Sequence, residues 1–244
     1  MFAIEGAPAI ALAVMAHFYL DDKPSEAKWL DRGEKARLAA NMADEAPRGA
    51  AKHGVAGLLR NPRLYLYSVV YFALTCAALT LSFWMPIMIR DFGVKDVVTI
   101  SLYTAIPNAI GAVAVILIAR LCDRRRQHKQ FVAACAIAGA AALSSLALHP
   151  ADIGVVLGIL AVATTVIYSA LPIFWAIPTA TLPPQARAGG IALISSVGIT
   201  SGIAGPWAIG QIKTTTGNMD NALYVLSALL VLSAAALLIG LRKR

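Results

Sequence analysis

Charge is scarce in this sequence. Only 14% of the 244 residues are charged, 59% are hydrophobic, and the mean hydropathy is +0.70. A soluble domain needs more polar side chains than this to cover its surface. The composition therefore excludes an ordinary soluble protein and predicts an all-α, multi-pass membrane protein whose environment is lipid.

Long intervals lack Asp, Glu, Lys and Arg altogether. Six of them, each 21 to 34 residues long, span residues 64–89, 97–119, 130–151, 153–186, 188–212 and 221–241. About 20 apolar residues suffice to cross a bilayer as a helix. Each interval therefore predicts one transmembrane helix, and the fourth adds a proline-rich exit at Pro183–Pro184. The apolar stretch 1–20 brings the predicted number of spans to seven.

Groups that usually carry chemistry are also missing. No Asp or Glu lies deep in any of the last six intervals, although a proton relay or an intramembrane counter-ion needs such a group. The three cysteines, Cys76, Cys122 and Cys135, are at least 13 residues apart and form no CxxC pair. Such cysteines are typical of small buried residues. We expect no metal, no cofactor and no enzyme activity.

Basic residues are present, and their distribution predicts topology. The runs show no interleaving of aromatic and basic residues, which argues against nucleic-acid binding. If residue 1 lies outside, the cytoplasmic segments 21–63, 120–129, 187 and 242–244 hold nine, five, one and three Lys or Arg, whereas the outer loops hold only Arg90, Lys95 and Lys213. Because Lys and Arg are retained in cytoplasmic loops, we expect the N-terminus outside and the C-terminus in the cytoplasm.

The segment 21–63 is the only long polar one. Asp31 and Glu34 have the spacing of a helix N-cap and its reciprocal partner, which predicts a short helix from Arg32 to about Asn41. Trp29 and Leu30 are candidates for contact with lipid headgroups. We interpret the segment as a cytoplasmic linker loop with an interfacial helix.

Polar side chains recur at helical spacing on four of the intervals, as expected for helices that line a pathway. The candidates for cavity residues are Tyr71, Thr75, Asn108, Tyr168, Trp175, Thr179 and Ser195. The intervals 130–151 and 221–241 lack such stripes and are predicted to be peripheral. Two pathway helices followed by one peripheral helix make a three-helix period. The alternative for any single Ser or Thr is a hydrogen bond to its own helix.

Two GxxxG motifs, Gly154–Gly158 and Gly198–Gly202, predict close helix packing. Prolines also lie inside the uncharged intervals, at Pro107, Pro172, Pro178 and Pro206. They predict bent helices, and such bends occur both in helices that move and in helices that do not.

Motifs along the whole chain resemble those of major facilitator superfamily transporters of the anion:cation symporter family. They are Glu5-Gly6-x-Pro8-Ala9, Pro24, Ala27, Trp29-Leu30, Glu34-Lys35, Ser82-Phe83-Trp84-Met85-Pro86, Ala105-Ile106-Pro107, Phe174-Trp175-Ala176-Ile177-Pro178-Thr179 and Gly205-Pro206. The family includes bacterial permeases for sugar acids, tartrate, phthalate and hydroxyphenylacetate.

The resemblance implies a fold and a division of the chain. Residues 1–20 would be the last helix of the N-terminal bundle, 21–63 the cytoplasmic linker, 64–241 the C-terminal six-helix bundle and 242–244 a cytoplasmic tail. Asp123 and Arg124 lie between the intervals 97–119 and 130–151, which would be the eighth and ninth helices of a complete family member. The resemblance implies that they form a conformational latch in this loop, the alternative being an ordinary solvated basic loop. The location implied is the bacterial inner membrane.

The implied function is proton-coupled uptake of an organic anion, such as a sugar acid, tartrate or an aromatic carboxylate, by alternating access. The family usually has Asn where this chain has Ser195 and Ile199, so a particular substrate does not carry over. The resemblance also places the coupling carboxylate and a substrate-binding arginine in five preceding helices. We therefore expect a missing N-terminal half as partner. The alternative is a truncated membrane protein that transports nothing.

Overall fold

The computed structural model describes residues 2–19, 21, 24–27, 29–45 and 60–240, and every regular element in these ranges is a helix. The helices are α1 (Phe2–Tyr19), α2 (Arg32–Glu45), α3 (Pro62–Asp91), α4 (Val97–Arg125), α5 (His128–Leu146), α6 (Ile153–Thr181), α7 (Pro184–Thr216) and α8 (Asp220–Gly240). They fall into two compact units, residues 1–51 and 52–244.

The first unit contains α1 and α2. The backbone N–H of Asp31 donates to Glu34 Oε2 at 3.1 Å, which is the reciprocal bond expected at this helix start. The helix predicted from Arg32 is therefore confirmed, and it continues to Glu45. Helix α1 is 18 residues long, and only its part Gly6–Tyr19 enters the comparison with membrane spans, as a shorter apolar helix. The predicted total of seven spans thus stays a prediction for this helix.

The second unit contains six helices that are long and apolar enough to cross a membrane. Polar residues at the ends of the apolar intervals cap α3, α4 and α6. Asn61 accepts a hydrogen bond from the N–H of Arg63, Asp96 from that of Thr99, and Asp152 from that of Gly154. The hydroxyl and N–H of Thr99 hold the pKa of Asp96, which lies outside the spans, below its usual value.

Packing within this unit follows a three-helix period. Suppose that the first three helices correspond to the last three, so that α3 matches α6, α4 matches α7 and α5 matches α8. The contact of α3 with α7 then corresponds to the contact of α6 with α4, and both contacts are extensive. The contact of α5 with α6 likewise becomes that of α8 with α3. This pattern is typical of two related three-helix repeats. It agrees with the period indicated by the polar stripes.

Burial differs greatly between the helices. α3 and α6 each bury more residues than any other helix of this unit, whereas α4 buries only Pro107, Gly111 and Cys122. α7 buries a narrow stripe of mostly small residues and leaves Ile203 and Trp207 exposed. Both α4 and α7 therefore pack on one face only within the described part of this unit.

Glycines mark the closest approach of α3 and α7. A Cβ at Gly198 would lie 2.5 Å from Tyr71 Cε1, and one at Gly205 would lie 2.6 Å from Thr80 Oγ1. The close packing predicted for Gly198–Gly202 is confirmed. The same prediction for Gly154–Gly158 is wrong for this unit, because a Cβ at Gly158 would meet nothing within 4 Å and one at Gly154 only Asp152 of its own cap.

The prolines predicted to bend helices lie inside continuous helices, Pro107 in α4, Pro172 and Pro178 in α6, and Pro206 in α7. The break predicted at Pro183–Pro184 is confirmed: α6 ends at Thr181, and α7 starts with Pro184 at its first position. Proline is favoured at this position because the N–H groups of the first turn have no acceptor within the helix, so the N–H that proline lacks costs no hydrogen bond.

Candidate functional site

An aromatic cluster lies where α3 meets α6. It consists of Tyr67 and Tyr71 from α3 and Phe174 and Trp175 from α6. The ring of Tyr71 stacks on Phe174 at 5.2 Å between centroids and meets Trp175 edge-on at 4.8 Å. Aromatic pairs in these arrangements add stabilisation beyond that of burial alone. The cluster therefore fixes two predicted site residues, Tyr71 and Trp175, against each other.

The third helix, α7, closes on this cluster through Gly198. The absence of a side chain there lets the Tyr71 ring lie directly on the α7 backbone. One turn along α3, Thr75 Oγ1 lies 2.7 Å from Tyr71 O and 3.1 Å from Gly198 O, and it accepts a hydrogen bond from Ser201 Oγ at 2.8 Å. Thr75 thus belongs to the contact between α3 and α7, and its hydroxyl is fully used there.

Three predicted site residues keep a polar group without an internal partner. In the described part of the chain, the Tyr71 hydroxyl, the Trp175 Nε1–H and the Ser195 hydroxyl make no hydrogen bond. All three residues are half-buried, and Ser195 lies one turn before Gly198 on α7. Each of the three converging helices therefore contributes one half-buried group that can donate a hydrogen bond to a ligand.

The other predicted residues are bonded within the protein. Thr179 Oγ1 donates to Trp175 O at 2.7 Å, and Asn108 Nδ2 donates to Thr104 O at 2.8 Å. The Tyr168 hydroxyl lies 3.4 Å from Ala78 O, which is a long contact. Asn108 lies exposed on α4 and is not in the aromatic cluster. Thr179 and Asn108 are therefore bonded to carbonyls of their own helices, which was the alternative to contact with a ligand.

The depth of the site suits a transmembrane pathway. Tyr71 and Thr75 lie about 14 and 20 Å along α3, a helix about 45 Å long at 1.5 Å per residue. No charged side chain belongs to the cluster, so the site can offer aromatic surface and neutral hydrogen-bond donors. It cannot neutralise a charged ligand by itself.

The residues predicted as a latch lie at the end of α4, and both are exposed. Asp123 Oδ1 lies 3.4 Å from Nε2 of His128 at the start of α5. Arg126 follows in the left-handed conformation, and its N–H bonds to Cys122 O at 2.8 Å. Asp123 thus contacts His128 across the tight turn between α4 and α5, and among the described residues it makes no ion pair with the neighbouring Arg124.

Sequence reasoning missed Ser201 and the bond between the Tyr67 hydroxyl and Thr181 Oγ1, 2.8 Å long, which joins α3 to the end of α6. Ser201 follows Gly198 by three residues, a helical spacing that would have identified it. Phe174 was recognised only as part of a motif. Among the described residues, no three His, Cys, Asp or Glu side chains come together as a metal site would require.

Comparison with known proteins identifies relatives along the whole chain. A family model described as Major Facilitator Superfamily matches residues 1–206. A protein of Agrobacterium vitis named "Putative tartrate transporter" is 37% identical over 240 residues, which are 98% of this chain and 53% of that protein. "Putative metabolite transport protein NicT" of Pseudomonas putida is 31% identical over 96% of this chain and 54% of its own length.

A third relative, named "Quinolone resistance transporter", comes from Acinetobacter baumannii and is 32% identical over 95% of this chain and 54% of its own length. The chain therefore spans about half the length of the curated relatives that it matches.

Proposed function

This chain belongs to the Major Facilitator Superfamily, and we propose that it forms part of a secondary active transporter that takes up an organic anion. The part comprises the C-terminal six-helix bundle, residues 64–241, preceded by the linker and by the last helix of the N-terminal bundle, residues 1–20. The motifs quoted above favour the anion:cation symporter family within the superfamily. The names of the tartrate and metabolite transporters support an organic anion as substrate.

The observation that carries the proposal is the set of unpartnered donors on three converging helices. Tyr71, Trp175 and Ser195 are half-buried, and their polar groups have no partner in the described residues. A carboxylate accepts several hydrogen bonds, so neutral donors of this kind suit its oxygens. The flat faces of Tyr71 and Trp175 suit a planar acid or a sugar-acid backbone. We assign these three residues direct contact with substrate.

The remaining cavity residues have supporting roles in this proposal. Thr75 and Thr179 hold the backbone of the pathway helices in place through their hydroxyls. Tyr168 lies further along the α3–α6 contact. Asn108 lies on the exposed face of α4, where it faces the other bundle. Charge recognition and proton coupling belong to the preceding helices, because the aromatic cluster holds no charged group.

Alternating access requires the two bundles to rock about the substrate site. α4 and α7 pack on one face only, which suits helices that slide against a partner bundle. We place the protein in the bacterial inner membrane, with seven spans in this chain, residue 1 outside and residues 242–244 in the cytoplasm. Asp123 and Arg124 then lie at the cytoplasmic ends of the helices, where a latch would stabilise the outward-facing state.

Uptake by cells that express the complete transporter containing these residues tests the proposal. Labelled tartrate, other sugar acids and aromatic carboxylates are supplied with and without a protonophore. We expect accumulation of at least one organic acid and its loss when the proton gradient collapses. Accumulation that survives the protonophore would contradict proton symport.

A quinolone susceptibility assay in the same cells covers the activity named for the Acinetobacter relative. Raised resistance without uptake of any acid would replace the proposed function with drug extrusion. Absence of both activities in correctly inserted protein would favour the second candidate, a truncated membrane protein that transports nothing. The reading frame upstream of Met1 distinguishes the transporter from the truncated protein, because the transporter requires five further apolar spans in frame.

A further inference from the structure

A short sequence repeat links α3 to α6. The dipeptide Phe-Trp occurs at residues 83–84 and again 91 residues later, at 174–175. The first residues of the two helices, Pro62 and Ile153, are also 91 residues apart. Trp84 of α3 therefore occupies the position in the first three-helix repeat that Trp175 of α6 occupies in the second.

Glycines at the same spacing support this correspondence. Gly111 of α4 and Gly202 of α7 are also 91 residues apart. A Cβ at Gly111 would lie 3.2 Å from Thr164 of α6, and one at Gly202 would lie 3.0 Å from Leu79 of α3. The two glycines thus occupy corresponding helix contacts, that of α4 with α6 and that of α7 with α3.

The two tryptophans lie near opposite ends of the bundle, because three successive membrane crossings reverse the direction of the chain between α3 and α6. Trp84 precedes the end of α3 by seven residues, and Trp175 precedes the end of α6 by six. Each therefore lies about 10 Å from its helix end at 1.5 Å per residue. In the proposed topology, Trp84 is on the outer side and Trp175 on the cytoplasmic side.

Helix α7 covers Trp84 on the outer side. A Cβ at Gly210 would lie 3.7 Å from Trp84 Cζ2, and Lys213 Nζ lies 5.5 Å from the centroid of the indole ring. Asp91, the last residue of α3, accepts a hydrogen bond from Lys213 Nζ at 2.7 Å. An ammonium group at this distance from an indole ring is attracted to it. Lys213 thus joins the end of α7 to both Trp84 and Asp91.

Two polar groups are enclosed in this part of the α3–α7 contact. The Nε1–H of Trp84 is buried and has no hydrogen-bond partner among the described residues, and the same is true of the Thr80 hydroxyl one turn earlier. Thr80 is only 1% exposed. A Cβ at Gly205 would lie 2.6 Å from Thr80 Oγ1, so this hydroxyl points at the α7 backbone.

Such groups are unfavourable where they are, because a buried donor without an acceptor has lost its hydrogen bonds to water. The Cys76 thiol beside Thr80 is only a weak hydrogen-bonding group. Both donors become available to a ligand when α7 moves away from this half of α3.

We propose that Trp84 is a further substrate-contact residue, used when α7 moves away from the outer half of α3, and that the pair Lys213–Asp91 holds these helices together in the state described here. This role rests on the proposed function, because the ligand is the transported organic anion. The Trp84 indole then presents to the anion the same flat face and Nε1–H that Trp175 presents near the other end, and the Thr80 hydroxyl adds a second donor.

Uptake by the complete transporter tests the substrate contact. The probe is labelled tartrate, or the sugar acid or aromatic carboxylate that the unmodified transporter accumulates in its place. Trp84→Phe keeps an aromatic ring and removes the Nε1–H, so KM should rise about two- to tenfold. The maximal rate and the amount in the membrane should stay nearly constant, whereas a purely structural role would lower one of these and leave KM unchanged.

The matched control is Trp29→Phe, which makes the same change at an exposed tryptophan of the linker and should leave KM unchanged. If Trp84→Phe reduces the amount in the membrane, Thr80→Val decides the question. It removes only the enclosed hydroxyl and should also raise KM.

Acrylamide quenching of tryptophan fluorescence in the purified full chain tests the closure by Lys213 and Asp91. The background W29F/W175F/W207F leaves Trp84 as the sole tryptophan. D91N should raise the quenching of Trp84 about two- to fivefold, the range expected when an exposed ion pair is lost. K213Q should have a larger effect because it also removes the contact with the ring, and D91N/K213Q should equal K213Q. The control K95Q removes an exposed base near the same end of α3 and should change nothing.

Three results would overturn these assignments. An unchanged KM in both Trp84→Phe and Thr80→Val, beside normal uptake by the unmodified transporter, would remove Trp84 from the substrate contacts and leave the proposed function intact. Absence of uptake of every acid by the unmodified transporter would overturn the proposed function, and the contact with it. Equal quenching of Trp84 in the unmodified pair, D91N and K213Q would show that Lys213 and Asp91 do not keep α7 on α3.

Discussion

Two contacts between helices of the same bundle use polar residues in opposite ways. Where α5 packs on α8, the surfaces consist mainly of Ala and Leu, and the buried Ser227 donates to Ala140 O across the contact at 3.0 Å. Where α3 meets α6 and α7, Thr75 and Ser201 are bonded internally, but Tyr71, Trp175 and Ser195 are not. The difference separates groups that hold helices together from groups left for a ligand.

The largest effect should come from closing the gap that lets α7 approach Tyr71. In Gly198→Ala, the new methyl would overlap the Tyr71 ring. Overpacking of this kind typically costs about 1–3 kcal/mol. We expect a clear fall in the thermal unfolding temperature of the purified chain and in uptake by the complete transporter.

Gly158→Ala is the matched control for that variant. Its Cβ meets nothing within 4 Å in the described residues, so the same change should leave thermal unfolding nearly unchanged. Equal destabilisation by both variants would show that helix flexibility, and not contact with Tyr71, accounts for the glycine at 198.

A smaller loss is expected from Thr75→Val, which keeps the shape of the side chain and removes its hydroxyl. The Ser201 hydroxyl loses its acceptor, and the cross-helix contact with Gly198 O disappears. Hydrogen bonds between membrane helices are worth about 0.6 kcal/mol on average and at most about 1.7 kcal/mol. Thermal unfolding should report a cost of about 1 kcal/mol.

Ser201→Ala provides the comparison for Thr75→Val, because it removes only the bond from Ser201 and should cost less. If Thr75→Val changed the substrate KM while stability stayed constant, Thr75 would belong with the ligand contacts and not with the helix contacts.

The smallest effect should be that of Ser227→Ala at the α5–α8 contact. The substitution removes the hydrogen bond from Ser227 to Ala140 O on α5. It also removes the hydrogen bond to Leu223 O, a carbonyl of α8 that still accepts the backbone hydrogen bond of the helix. We expect a loss of about 0.6 kcal/mol in unfolding and no change in uptake. A selective fall in uptake would contradict a purely structural role for this contact.

Much of the bundle follows from where charges are absent. Uncharged intervals predicted α3 to α8, and the polar residues at their ends became the caps Asp96 and Asp152. These features are local, so composition and period determine them.

What spacing could not distinguish was which polar groups are already bonded. Thr75 and Ser195 appear equivalent in the sequence, but only Thr75 meets a carbonyl of another helix. The two GxxxG motifs appear equivalent too, and only Gly198–Gly202 faces another helix in this unit. Both distinctions depend on how helices cross, which is a property of the packed bundle and not of any one interval.

The most direct test of the central claim is uptake by the complete transporter carrying Trp175→Phe, measured beside its amount in the membrane and its thermal unfolding. Phe keeps an aromatic ring against Tyr71 and removes the Nε1–H, so uptake should fall through a higher KM, by about two- to tenfold for one neutral hydrogen bond. The amount in the membrane and the unfolding temperature should stay constant, and Trp175→Ala should lower uptake further. Unchanged uptake in both variants would contradict the assignment of Trp175 to substrate contact.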